Sequence, residues 1–175
     1  IVRGMRGLAA SGDVQAGVVV ELETVPHSFL REVPLVEGVW LDQHMVELAE
    51  WGGLLAAKIE QETGRKVRVV NLSVSGATLQ DLIDRQLPQL GQYRPDLITM
   101  EIGANDMRQY ESAAFQRQFE QILQALPADR TVVSTMPFFG GRYRPGDNPL
   151  RASQSIQQLA RQYGFQVAEL YTALE

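Results

Sequence analysis

Short β-branched runs alternate with amphipathic helical stretches along most of this chain, and that alternation constrains its fold more than any other feature. Val67–Leu72 (VRVVNL) follows Thr63-Gly64, a helix-stop pair, and Leu97–Ile102 (LITMEI) follows Arg94-Pro95-Asp96. Thr131–Thr135 (TVVST) comes shortly after Pro127, and Val167–Leu170 comes after Gly164. Each run is short and mostly apolar, the pattern of parallel strands covered on both faces.

The stretches between these runs repeat at helical spacing. Trp51, Leu54, Leu55 and Ile59 share one face, as do Phe115, Phe119, Ile122 and Leu126. A third face collects Ala152, Ile156, Leu159, Ala160 and Tyr163. Asn148-Pro149 opens that helix as cap and first helical residue, and Gly164 closes it. Thr78 with Asp81 three residues on is a capping pair opening a helix at Leu79. The expected architecture is α/β: a three-layer α/β/α sandwich around a mostly parallel, flavodoxin-like sheet. Val67–Leu72 and Leu97–Ile102 are expected among its central, fully buried strands.

Residues 1–175 fit one domain, without internal repeats or linkers. The first 46 residues are less regular, with a first strand expected near Arg6–Ala10 and another short one at Val18–Leu22. The stretch from about 18 to 50 reads as a lid or loop excursion. Sixteen Lys+Arg against 21 Asp+Glu give a net charge of −5, which argues against nucleic acid or an anionic membrane as a partner. No apolar run approaches the roughly 18 residues of a membrane span. With no Cys and only His27 and His44, zinc-thiolate and multi-histidine metal sites are not expected, nor is a Cys nucleophile. The chain starts at Ile1 without a signal-peptide pattern, so a soluble protein with its leader removed, secreted or periplasmic, is one expectation. Cysteine usage leaves the compartment open.

Sites in open parallel sheets lie beyond the carboxyl ends of the strands. Three expected ends carry small or polar residues: Ser11-Gly12-Asp13, Ser73-Val74-Ser75-Gly76 and Gly103-Ala104-Asn105-Asp106. Any one alone reads as a tight turn. Together, a Gly N–H and an Asn amide can converge on one oxygen, as an oxyanion hole requires.

These blocks resemble those of the SGNH, or GDSL-type, serine hydrolases. Val69–Thr78 (VVNLSVSGAT) is similar to that family's second block, and Gly103-Ala-Asn-Asp106 to its GxND block. Ser134-Thr-Met-Pro137 resembles the usual continuation, and the likeness runs from about Trp51 to Leu170. It implies a serine ester hydrolase, an esterase or lipase acting on a small-molecule ester without cofactor or metal. It also implies catalytic roles for Asp13, Gly76 and Asn105. Gly76 would give a backbone N–H and Asn105 a side-chain N–H to the oxyanion, while Asp106 would brace the loop. The oligomeric state and the acyl and alcohol groups are left open.

Two departures stand out. The family's nucleophile is the serine of Gly-Asp-Ser, but Gly12-Asp13 is followed by Val14. A serine between Asp13 and Val14 would restore the pattern, whereas Ser11 precedes it. The family's Asp-x-x-His pair follows the last strand, and the expectation is that a base lies beyond Glu175. His44, in Asp42-Gln43-His44, is spaced wrongly for that pair, and His27 reads as a surface residue. Trp40 and Trp51 read as packing. The alternative is a non-catalytic, ligand-binding pseudoenzyme on the same scaffold. A nucleotide binder is disfavoured, because no G-x-G-x-x-G or P-loop follows any strand.

Overall fold

The computed structural model describes residues 17–22, 55–64, 67–74, 76–137 and 146–171. Among these residues five strands form one sheet: β1 (Gly17–Leu22), β2 (Val67–Asn71), β3 (Leu97–Met100), β4 (Thr131–Ser134) and β5 (Gln166–Ala168). Their spatial order is β2-β1-β3-β4-β5, and every neighbouring pair is parallel. Parallel neighbours need crossover connections, and helices supply them. Residues 55–63 form α1, residues 79–90 α2, Ser112–Ala125 α3 and Asn148–Tyr163 α4. This is the expected α/β class, a parallel sheet flanked by helices.

Local sequence explains where the helices begin and end. Helix α1 stops where Gly64 takes φ +69 and returns its N–H to the Glu60 carbonyl. Thr78 and Asp81 form the expected capping box at the start of α2, each side chain accepting the other's backbone N–H. Glu111 caps α3 by accepting from the backbone N–H groups of Ala113 and Ala114. Gly164 closes α4 at φ +77, as its position predicts. Asn148 is the first helical residue of α4 rather than its cap; the cap position is Asp147, whose side chain makes no capping bond.

The core gathers the apolar faces read from the sequence. Phe115, Phe119, Ile122 and Leu126 are buried, with Ala152, Ile156 and Ala160 of α4 packed into the same cluster. Each large buried apolar side chain contributes about 1.5–3 kcal/mol of transfer free energy. All four residues of β3 are buried, which is the expectation for a strand covered on both faces.

Strand β2 departs from that expectation. Among the described residues it lies at the sheet edge, with only β1 beside it, and Arg68, Val69 and Asn71 are exposed. The apolar run VRVVNL identified a strand correctly, but its place in the sheet depends on which strand joins the other side. The central strand between β2 and β3 is Gly17–Leu22. The short strand expected at Val18–Leu22 is thus present as β1, while Ser11-Gly12-Asp13 precedes it in the chain and lies outside the described residues. The strand expected at Arg6–Ala10, the Trp51 and Leu54 positions, Trp40 and both histidines lie outside the described residues.

Candidate active site

The site is built where the chain leaves β2 and β3, the two strands that flank β1. After β2, a turn closed by the Ala77 N–H on the Val74 carbonyl (3.1 Å) carries Gly76 at φ +82 into Thr78 and α2. An L side chain rarely adopts that backbone conformation, so glycine is favoured there. After β3, Gly103 sits at φ +107, and a Cβ placed on it would lie 2.9 Å from Phe115 Cε2 and 3.1 Å from Met136 Cε. Glycine at 103 lets this loop pass tightly over the core before Asn105–Gln109 winds into a 3₁₀ turn.

The two loops are joined by side chains of the second. Asn105 donates its amide Nδ2 to the Ala77 carbonyl at 2.9 Å. A carboxamide has two N–H donors on that nitrogen, so one remains for a ligand. Asp106 accepts the Leu79 backbone N–H, at 3.2 Å to Oδ2, in the first turn of α2. A negative charge there complements the exposed N–H groups of a helix start. Burial nevertheless raises the Asp106 carboxyl from its ordinary 3.8 to about 6; the bonds from Leu79 and its own backbone N–H only partly offset this. Asp81 goes the other way, held below its ordinary value by the Thr78 backbone N–H and hydroxyl.

Gly76, Thr78, Asn105, Asp106, Arg108 and Gln109 line a cleft of about 470 Å³. Two of the three site residues expected from sequence, Gly76 and Asn105, thus meet at one cleft at the carboxyl edge of the sheet. The third, Asp13, lies outside the described residues. A backbone N–H and a carboxamide N–H beside one cavity form a set able to stabilise an oxyanion. Among the described residues no group of three or more His, Cys, Asp or Glu is arranged to hold a metal ion, and no helix is long and apolar enough to cross a membrane.

Sequence reading missed two supporting residues. Gln86 is fully buried in the middle of a polar-looking stretch and donates to the Leu72 carbonyl at 2.8 Å, just before the Ser73–Gly76 loop. It reaches that point because Leu82–Gln86 is a π-helical segment within α2. Such a bulge shifts the residues after it around the helix axis, so a 3.6-residue template misplaces Gln86. Arg108 lines the cleft, and its position three residues after Asn105 was the available signal.

Comparison with known proteins agrees with this geometry. The GDSL-like Lipase/Acylhydrolase family matches residues 35–175, a stretch that includes Gly76 and Asn105 and starts after Asp13. Esterase TesA of Pseudomonas aeruginosa is 30% identical over 130 residues, which make up 71% of this chain and 58% of TesA. The chain therefore spans less than two thirds of that relative's length. A solved lipase/acylhydrolase from Enterococcus faecalis superposes with a TM-score of 0.67 at 20% identity, covering 90% of this chain and 77% of that one. AlinE4, an SGNH-hydrolase family esterase, gives 0.63 at 18% identity over the same shares. Those two likenesses are of fold. The family match over residues 35–175 goes further, and with the two strand-end loops it leads to one conclusion: this chain belongs to the GDSL-like lipase/acylhydrolase family.

Proposed function

We propose that the protein hydrolyses a small-molecule carboxylic ester by acyl transfer at the cleft between the β2 and β3 loops. The observation that carries this reading is the placement of Gly76 and Asn105 on one cleft, with the Asn105 amide held by Ala77. An ester carbonyl oxygen seated there becomes the oxyanion when a hydroxyl attacks the carbonyl carbon. The Gly76 N–H and the free Asn105 N–H then face the charge as it develops.

The attacking hydroxyl and the base are assigned to segments outside the described residues. The base takes the hydroxyl proton as the new C–O bond forms and returns it to the departing alcohol as the old ester bond breaks. Water then attacks the acyl-enzyme, its proton passing to the same base, and the acid is released with the hydroxyl restored. Neither half requires a metal or a cofactor. Asp106 acts by holding the Asn105 loop against α2, without touching the reacting atoms.

Turnover of 4-nitrophenyl acetate by the purified chain, compared with Asn105→Ala, tests the proposal. Saturable hydrolysis that the substitution depresses is expected. A folded wild-type chain that binds short esters without cleaving them would overturn catalysis and leave a ligand-binding relative.

A further inference from the structure

The cleft wall beside Asn105 is the 3₁₀ turn Asn105–Gln109. Three residues complete each turn of such a helix, so side chains at i and i+3 eclipse one another. Asn105 and Arg108 consequently share a face, about 6 Å apart along the axis at about 2.0 Å per residue. Both line the cleft, the asparagine half-buried and the arginine exposed.

Arg108 makes no hydrogen bond or ion pair with any described residue, whereas the neighbouring acids are engaged. Asp106 accepts from Leu79, and Asp81 accepts from Thr78 and faces Arg85 at 3.6 Å. Thr78 and Gln109 add further polar groups to the same cleft. The chain as a whole carries a net charge of −5, so this guanidinium is a local positive feature on an acidic protein. A planar five-donor fork suits a carboxylate or phosphate better than an alkyl chain.

We infer that Arg108 selects esters that carry an anionic oxygen group, a carboxylate or a phosphonate, a few bonds from the ester carbonyl. The spacing sets the class. With the carbonyl oxygen at Gly76 and Asn105, an acyl chain of two or three carbons ending in a charge reaches the Arg108 side chain. This inference rests on the proposed hydrolase reading for the position of the carbonyl.

The test compares kcat/KM for 4-nitrophenyl butyrate, 4-nitrophenyl monosuccinate and 4-nitrophenyl 3-phosphonopropionate in wild type, Arg108→Gln and Arg108→Glu at low ionic strength. The anionic-to-neutral ratio should fall about tenfold in Arg108→Gln and further in Arg108→Glu, and the wild-type ratio should fall with added salt. A drop for one anionic substrate alone names which group the site takes. Equal ratios in all three proteins, with turnover intact, would overturn the inference and leave the hydrolase reading standing. A titration with monomethyl succinate and methyl butyrate, followed at the Asn105 and Gln109 amide resonances, separates the two readings. Arg108-dependent preference for the half-ester without any turnover keeps the inference and retires hydrolysis. No response to either probe, with no turnover, overturns both.

Discussion

Asn105 donates its side-chain amide to the Ala77 carbonyl, 2.9 Å away, and so ties the loop after β3 to the loop after β2. The bond fixes the orientation of the carboxamide before any ligand arrives. A donor held in place costs little reorganisation when charge develops, which is the physical basis of oxyanion stabilisation. Asp106, the next residue, makes a second tie to the same neighbouring segment through the Leu79 N–H. The two loops are thus coupled by adjacent side chains on one short turn.

Asn105→Ala is expected to lower ester turnover by about 10²–10³, the usual consequence of losing one oxyanion donor. The lost bond to Ala77 should cost about 1 kcal/mol of stability. Asn105→Asp should be at least as harmful to kcat, because it sets negative charge where negative charge develops. Steady-state kinetics beside a urea titration read both effects. Full kcat in the alanine variant would remove Asn105 from the oxyanion hole.

Asp106 gives a pH dependence whose sign follows from its raised pKa. Between about 4, the unfolded value, and about 6, the folded value, the folded chain binds more protons than the unfolded one. This contribution to stability is complete below pH 4 and is lost as pH rises through 6. Asp106→Asn keeps an oxygen for the Leu79 N–H and removes the charge. It should be more stable than wild type by about 1–2 kcal/mol at pH 7, partial exposure being taken into account, with the gap closing below pH 4. Denaturant midpoints at the two pH values check this, and a gap independent of pH would assign the effect to something other than the carboxyl.

The features legible in the sequence are those that depend on near neighbours. The Thr78–Asp81 capping box, the stop at Gly164 and the Phe115–Phe119–Ile122 face each need only a few residues to specify them. The Gly76 and Asn105 loops were legible because small and polar residues directly follow apolar strands. Position within the sheet was not. Val67–Asn71 is apolar enough for a central strand, yet among the described residues it lies at the edge, because Gly17–Leu22 inserts between it and β3. Gln86 was missed for a different reason: its burial follows from the π-helical segment, which no fixed helical period encodes.

Gly103 should be intolerant of substitution. Its φ of +107 is unfavourable for an L residue, and an added Cβ meets the Phe115 ring at 2.9 Å. That ring lies parallel to Phe119 at 6.0 Å between centroids, so it has little room to withdraw. Gly103→Ala should destabilise the fold by about 2–3 kcal/mol, from backbone strain and overpacking together. Because Gly103 leads into Asn105, ester turnover should fall as well, even at temperatures where the variant is fully folded. Thermal unfolding together with kinetics below the transition reads both, and a variant as stable and as active as wild type would show that the loop relaxes freely.

The attacking hydroxyl can be located by chemistry. Residues 1–54 contain three serines and threonines, Ser11, Thr24 and Ser28, and no tyrosine. A reactive fluorophosphonate forms a stable adduct with an activated hydroxyl, and peptide mapping then reports its position. Chain order favours a hydroxyl after β1. The chain leaves the carboxyl edge of the sheet at Leu22, between the strands that lead to Gly76 and Asn105, and Thr24 comes two residues later. The adduct is therefore expected on Thr24 or Ser28. An adduct on Ser11, or on an additional serine between Asp13 and Val14, would instead place Asp13 at the site, as the family resemblance implies. A folded chain that takes no label, while still binding a short ester at the Asn105 cleft, would show a hydrolase scaffold retained for binding alone.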